Sequence, residues 1–105
     1  MIYLAGPITA KNGYTVEQNV TQAAAIYFRL VRAKIPAFCP QMGATLQASF
    51  DESYETWMAY DFAMIDECHT VLMLPRWETS NGAVLEHDYA MRKMKRIVYD
   101  VKELL

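Results

Sequence analysis

The sequence predicts an α/β fold: an open, doubly wound parallel sheet in one small domain. Three observations carry this. The 105 residues allow one domain and leave no room for a second. Short apolar runs alternate with longer amphipathic stretches, the pattern of βα units around a parallel sheet. One of those runs, Thr70-Val71-Leu72-Met73-Leu74, is unbroken by charge, as a strand covered on both faces must be.

The elements follow in order. The first strand is Ile2 to Ala5, halted by Gly6-Pro7. A polar loop through Lys11-Asn12-Gly13 leads to a helix from Val16 to Lys34. Its apolar positions Val16, Val20, Ala23, Ala24, Tyr27, Leu30 and Val31 recur at the three- and four-residue spacing of one buried face. Pro36 to Cys39 reads as a short second strand ending at Pro40. Gln41 to Asp51 has no clear period and is expected to form an active-site loop or lid. A second helix runs from Ser53 to Cys68, and the third strand occupies Thr70 to Leu74. After a loop through Trp77, Ser80 caps a third helix from Asn81 to Lys95, because its hydroxyl can accept a backbone N–H of the first turn. Ile97 to Tyr99 is the fourth strand. The result is a three-layer αβα sandwich of flavodoxin-like order, in which ligands bind at the carboxyl ends of the strands. Gly6-Pro7, the segment from Pro40 onward, and Trp77 to Ser80 converge at that edge.

Composition narrows the function classes. Ten basic and twelve acidic residues give a net charge of −2, which does not suggest a polyanion, and no nucleic-acid polymer is expected as partner. No apolar run approaches the roughly 18 residues of a membrane span, and the chain opens on a strand, not on a signal sequence. Cys39 and Cys68 stand far apart and outside any CxxC spacing, so a reduced, cytoplasmic setting is expected. With 53% hydrophobic residues, among them seven Met, the chain is more apolar than so small a core needs. Part of that excess is expected to line a homo-oligomer interface. His69 and His87 lack metal-ligand spacing, and no phosphate-cradling or nucleotide-fingerprint glycine motif occurs. Neither metal nor cofactor is therefore expected.

A few residues break the pattern. Asp61 projects from the same side of the second helix as Tyr54, Trp57, Met58, Ile65 and Cys68. A carboxylate in an apolar stripe costs several kcal/mol unless it is paired. It is either a buried Asp bonded to backbone or Tyr, or a carboxyl aimed into a pocket and tuned for proton transfer; the second reading is favoured. Glu86 taken alone reads as a solvated helix residue, but Gly82, Ala83 and Ala90 stand one turn away, small neighbours that leave room for a ligand. The start of its helix offers free N–H groups to an anion. Tyr3 is either a core tyrosine or the holder of a carboxylate, if the third helix packs beside strand one. Trp57 reads as a core anchor; Trp77 reads as a loop anchor or as a platform for a base.

Several segments together resemble the nucleoside 2-deoxyribosyltransferase superfamily. They are Tyr3-Leu4-Ala5-Gly6-Pro7, Tyr60-Asp61, Asp66-Glu67-Cys68 and Leu74-Pro75-Arg76-Trp77-Glu78-Thr79-Ser80-Asn81-Gly82-Ala83-Val84-Leu85-Glu86. The resemblance spans Tyr3 to about Tyr99. It implies that Glu86 attacks C1′ of a deoxyribose to form a covalent glycosyl-enzyme, that Asp61 contacts the base and assists its protonation, and that Tyr3 positions the nucleophile. Gly6, Pro7, Trp77, Ser80, Gly82 and Ala83 are the expected substrate contacts. The expected partner is a small-molecule nucleoside or nucleotide.

This sequence departs from the family at two places. The transferases carry Asp six residues before the nucleophile, where this chain has Ser80. The related 2′-deoxynucleoside 5′-monophosphate N-hydrolases place a phosphate-binding Ser there, which leans toward a nucleotide substrate. They also place Ser and Arg in the first loop, where this chain has Pro7 and Thr9. Second, family members extend further and donate a polar residue to the neighbouring subunit's site, whereas this chain stops at Leu105. The alternative expectation is a non-catalytic nucleotide-binding or sensing domain of the same fold.

Overall fold

The computed structural model describes residues 1–44 and 49–105. Four strands form one all-parallel sheet: β1 (Ile2–Ala5), β2 (Ala37–Phe38), β3 (Thr70–Met73) and β4 (Arg96–Val98), in the order β2-β1-β3-β4. This is the doubly wound order expected. The chain first moves outward from β1 to β2, then returns to the other side of β1 for β3. Ile2 pairs with Ala37 on one side and Thr70 on the other, and β3 pairs with β4 from Thr70↔Arg96 to Leu72↔Val98. The central strands β1 and β3 are buried along their whole length, which is why both are written almost wholly in apolar residues.

Alternation along the strands divides the core in two. Ile2, Leu4, Leu72 and Leu74 face α1 (Val16–Arg32), packing on Ala23 and Leu30. Tyr3, Ala5, Val71 and Met73 face α2 (Tyr54–Asp66) and α3 (Asn81–Arg92), meeting Ile65, Cys68 and Ala90. A short 3-10 helix at Val101–Leu104, beyond the last expected strand, adds Val101 to the α1 layer.

The buried face of α1 differs from the expected stripe. Val16 and Val31 are 39% and 46% exposed, and the inward line runs through Asn19, Ala23 and Leu30. Asn19 is tolerated inside because its amide donates to the carbonyls of Ile8 and Thr9 at 3.2 Å. Thr15 starts the helix with a capping box to Gln18.

The expected ends of α1 and α3 were two or three residues too long. Lys34 and Met94 adopt left-handed backbone, with φ of 59° and 57°. Ile35 N–H bonds to Leu30 O at 2.9 Å and Lys95 N–H to Ala90 O at 3.0 Å, the closing bonds of a Schellman motif at each helix end. Likewise α2 ends at Asp66, so Cys68 lies beyond the helix whose stripe it was expected to extend. The segment expected to be irregular from Gln41 opens with a 3-10 helix at Pro40–Gly43. The lid expected across it falls partly on residues 45–48, outside the described residues. Among the described residues, no helix is long and apolar enough to cross a membrane.

Candidate active site

The sheet's winding sends the chain away from β1 and β3 in opposite directions, and this splits the loops after the two strands. Three elements point an ionisable side chain into the gap. Tyr3 is on the β1 face toward α2 and α3. Asp61 lies on the inward line of α2 between Met58 and Ile65, and Glu86 on that of α3 between Ala83 and Ala90. Ser80 fixes where α3 begins, its hydroxyl accepting from Ala83 N–H at 3.2 Å. That cap sets the rotation of the helix and so the direction of Glu86.

The three groups meet. The Tyr3 hydroxyl donates to Glu86 Oε2, and Asp61 stands beside both, near enough to shift their acidity. Tyr3 is 0%, Glu86 5% and Asp61 9% exposed, so the bulky and charged parts of all three are out of water. Tyr3 combines the two readings open for it, being fully buried in the core and bonded to the carboxylate of the third helix.

Burial governs the acidity of the cluster. It raises the Glu86 carboxyl well above its ordinary range, the Asp61 charge adds to the rise, and the Tyr3 hydrogen bond opposes it. Burial pushes Asp61 up to about 6, against the pull of its bonds with Glu86 and Tyr3. Tyr3 is raised as well, by burial first and then by the two carboxylates. Two buried carboxyls that influence each other, with no cation paired to either among the described residues, hold one proton jointly near neutral pH. Burial raises both carboxyls, so the proton belongs to the pair.

The cluster opens on a chamber of about 110 Å³, lined by Gly6, Gln41, Trp57, Met58, Asp61, Ser80, Gly82, Ala83 and Glu86 among others. Two larger hollows adjoin it. One, of about 340 Å³, shares Tyr54, Ser80 and Gly82 with the chamber and is lined on its far side by Pro7, Thr9, Lys11 and Arg76. The other, of about 490 Å³, shares Pro40, Trp57 and Asp61 and is walled by Phe38, Met42 and Tyr60. Tyr60 sits edge-on to both Phe38 and Trp57, with ring centroids 6.4 and 6.5 Å apart. The three spaces run in series: polar and cationic, then carboxylic, then aromatic.

Gly6, Ser80, Gly82 and Ala83 thus line the carboxylic chamber, and Pro7 the cationic hollow. Gly6 owes its identity to packing: a Cβ there would stand 2.7 Å from Leu74 Cβ. Trp77 falls outside the cleft. It stacks on His87 with centroids 4.5 Å apart and packs against the core near Met73 and Ala90, so one indole face is already covered. Trp57, read as a core anchor, is only half-buried and walls two of the three spaces.

Sequence reasoning missed Gln41, Tyr54, Lys11 and Arg76. Gln41 is buried and braces the chamber floor, its amide donating to Gly6 O at 3.2 Å. A polar residue directly after Pro40 gave no signal of that role. Lys11 had one: Asn12-Gly13 is a two-residue hairpin turn, and both residues have positive φ, 53° and 82°. The turn pairs Lys11 with Tyr14 and brings both to the cleft rim. Among the described residues, no group of three or more His, Cys, Asp or Glu is placed to hold a metal ion.

A comparison with curated proteins gave no match. Residues 1–99 match the sequence profile of a family described as "Domain of unknown function (DUF4406)". That match takes in β1, the three α-helices described above, the Tyr3–Asp61–Glu86 cluster and the hollows around it, and the chain accordingly belongs to the DUF4406 family.

Proposed function

We propose that this protein cleaves the N-glycosidic bond of a 2′-deoxynucleoside or its 5′-monophosphate through a covalent glycosyl-enzyme on Glu86. The observation that carries the reading is the buried Tyr3–Glu86–Asp61 cluster facing a small chamber between a cationic and an aromatic hollow. It agrees with the resemblance to the nucleoside 2-deoxyribosyltransferase superfamily in the roles of the three residues.

The jointly held proton serves this chemistry. With that proton on Asp61, Glu86 is the anion of the pair. The Glu86 carboxylate forms a bond to C1′ as the C1′–N bond breaks, and the base takes that bond's electron pair together with the proton from Asp61. The Tyr3 hydroxyl holds Glu86 in line. Asp61, now a carboxylate, takes a proton from water as the water oxygen attacks C1′ and releases Glu86. A second base in place of water gives transfer instead of hydrolysis. The partner on this reading is a small molecule. We place the protein in the cytoplasm as a homo-oligomer, for which the exposed Leu85, Met91 and Met94 on α3 and its end supply apolar surface.

The test is incubation with a panel of deoxynucleosides and their 5′-monophosphates, with and without an acceptor base, followed for free base and for exchanged nucleoside. Base release is expected, and Glu86→Ala is expected to lower it at least about 1,000-fold while the helical signal is kept, since Ala is a strong helix former. Silence of the wild-type protein across the panel overturns the enzymatic reading and leaves a nucleotide-binding domain.

A further inference from the structure

Arg76 stands out as a cation without a counter-charge. It follows β3 in left-handed backbone, φ 65° and ψ 18°, a conformation that residues with a side chain rarely adopt. Its guanidinium is nonetheless held firmly. Nη2 donates to Asn19 Oδ1 at 2.9 Å and to Gln22 Oε1 at 2.8 Å, and the Tyr14 ring lies 3.5 Å from the guanidinium carbon. Every one of these partners is neutral, and among the described residues no carboxylate pairs with Arg76. Asn19 is itself locked, 3% exposed and donating to the carbonyls of Ile8 and Thr9. Both hydrogen bonds use Nη2, which leaves the Nε and Nη1 hydrogens uncommitted among the described residues. The side chain lines the 340 Å³ hollow, together with Lys11 and the Ser80 end of α3.

A surface arginine serving only to brace α1 would need neither a strained backbone nor isolation from acids. A clamp of neutral groups fixes the position of the charge without cancelling it, which is what an anion site requires. The hollow opens directly into the carboxylic chamber through Tyr54, Ser80 and Gly82, on the side away from the aromatic hollow. A sugar whose C1′ meets Glu86 and whose base enters the aromatic side extends its 5′ end toward Arg76.

We infer that Arg76 is the phosphate-reading residue of this site, so that the preferred substrate is a 2′-deoxynucleoside 5′-monophosphate and not the free nucleoside. The inference rests on the proposed glycosidic reading for the identity of the sugar and base, and on the Arg76 clamp alone for the anion. It places the clamped cation on the loop after β3; in the first loop Pro7 and Thr9 carry no charge, and Lys11 lines the same hollow.

Two measurements on the full chain test it. The first is titration with inorganic phosphate, followed by the amide NMR signals of Ser80 to Ala83 and the Arg76 side chain. Arg76→Gly is the variant of choice, because glycine suits the φ of 65° and thermal melting can verify the fold. Phosphate is expected to shift these amides in the wild-type protein, with affinity weakened about 10- to 100-fold in Arg76→Gly and partly restored in Arg76→Lys. The second is the ratio of kcat/KM for a deoxynucleoside 5′-monophosphate over the matching nucleoside. That ratio is expected to exceed one and to fall about 10-fold or more in Arg76→Gly. No phosphate response, or equal affinity in a well-folded Arg76→Gly, overturns the inference. A wild-type preference for free nucleosides overturns it while the glycosidic reading stands. Phosphate binding lost with Arg76 in a protein that turns over nothing on the panel keeps the anion site and removes the glycosidic reading.

Discussion

Asp61 and Glu86 differ in how their roles can be separated by substitution. Asp61→Asn keeps the shape of the side chain and removes the transferable proton. It is expected to slow cleavage about 100-fold for substrates whose bases need protonation to leave, and far less for an activated nucleoside whose base departs unaided. Glu86→Ala is expected to disable both. Equal slowing of both substrates by Asp61→Asn would make Asp61 a positioning residue. Asp61 was legible in the sequence because a charge inside an apolar stripe is costly, and in the structure Tyr3 and Glu86 offset only part of that cost. Glu86 was not legible from helix periodicity, where a Glu looks solvated; the segment from Ser80 to Glu86 singled it out. Arg76 was invisible for a plainer reason. Its partners Asn19 and Gln22 lie 57 and 54 positions away, and no local rule anticipates a clamp assembled by tertiary packing.

At the level of elements, strands and caps were legible and helix ends were not. β1 was placed to the residue, since Gly6-Pro7 stops it, and Ser80 was read correctly as the cap of α3. The ends of α1 and α3 were overrun because Lys34 and Met94 stand where glycine usually signals the left-handed turn. Met94 is 89% exposed, so its side chain contributes little packing to set against the backbone strain. Met94→Gly is therefore expected to stabilise the fold by about 0.5–1 kcal/mol, a rise of a few degrees in Tm by calorimetry. No rise would mean that the Met94 side chain compensates through a contact outside this chain. The face of α1 was misjudged by counting apolar residues alone. Asn19 goes inside because its amide closes the β1 loop, while Val16 and Val31 stand at the two exposed ends of the helix.

For the molecule as a whole, the carboxyl cluster ties stability to pH. Burial raises Asp61 from an ordinary 3.8 to about 6, and Glu86 rises too, so between those values the folded protein keeps a proton that the unfolded chain has released. The stability linked to the cluster is complete below about pH 4 and is lost as pH rises through 6 and beyond. Melting is thus expected to occur at lower temperature at pH 8 than at pH 5.5. Asp61→Asn is expected to flatten that dependence and to raise stability at pH 8 by about 0.5–2 kcal/mol. A wild-type melting temperature that climbs from pH 5.5 to pH 8 would show that the cluster is ionised without penalty. Sheet order and layering were legible from the alternation of elements. The serial arrangement of cationic, carboxylic and aromatic spaces was not, because it depends on which loops the winding brings together.

The contact between Gly6 and Leu74 has a consequence for the cleft as a shape. The ends of β1 and β3 are held together by the Leu74 N–H bond to Ala5 O, at 2.8 Å, and Leu74 fills the place where a side chain on residue 6 would begin. Gly6 also gives its carbonyl to Gln41, the chamber's floor brace. One methyl group added at position 6 has nowhere to go except between the strand ends, and the displacement would be passed to the loops that carry Pro7 and Arg76. The aperture is in effect gauged by a missing atom. Gly6→Ala should consequently cost about 1–3 kcal/mol of stability and, in whatever fraction still folds, splay the two loops and weaken ligand binding with Tyr3, Asp61 and Glu86 all unaltered.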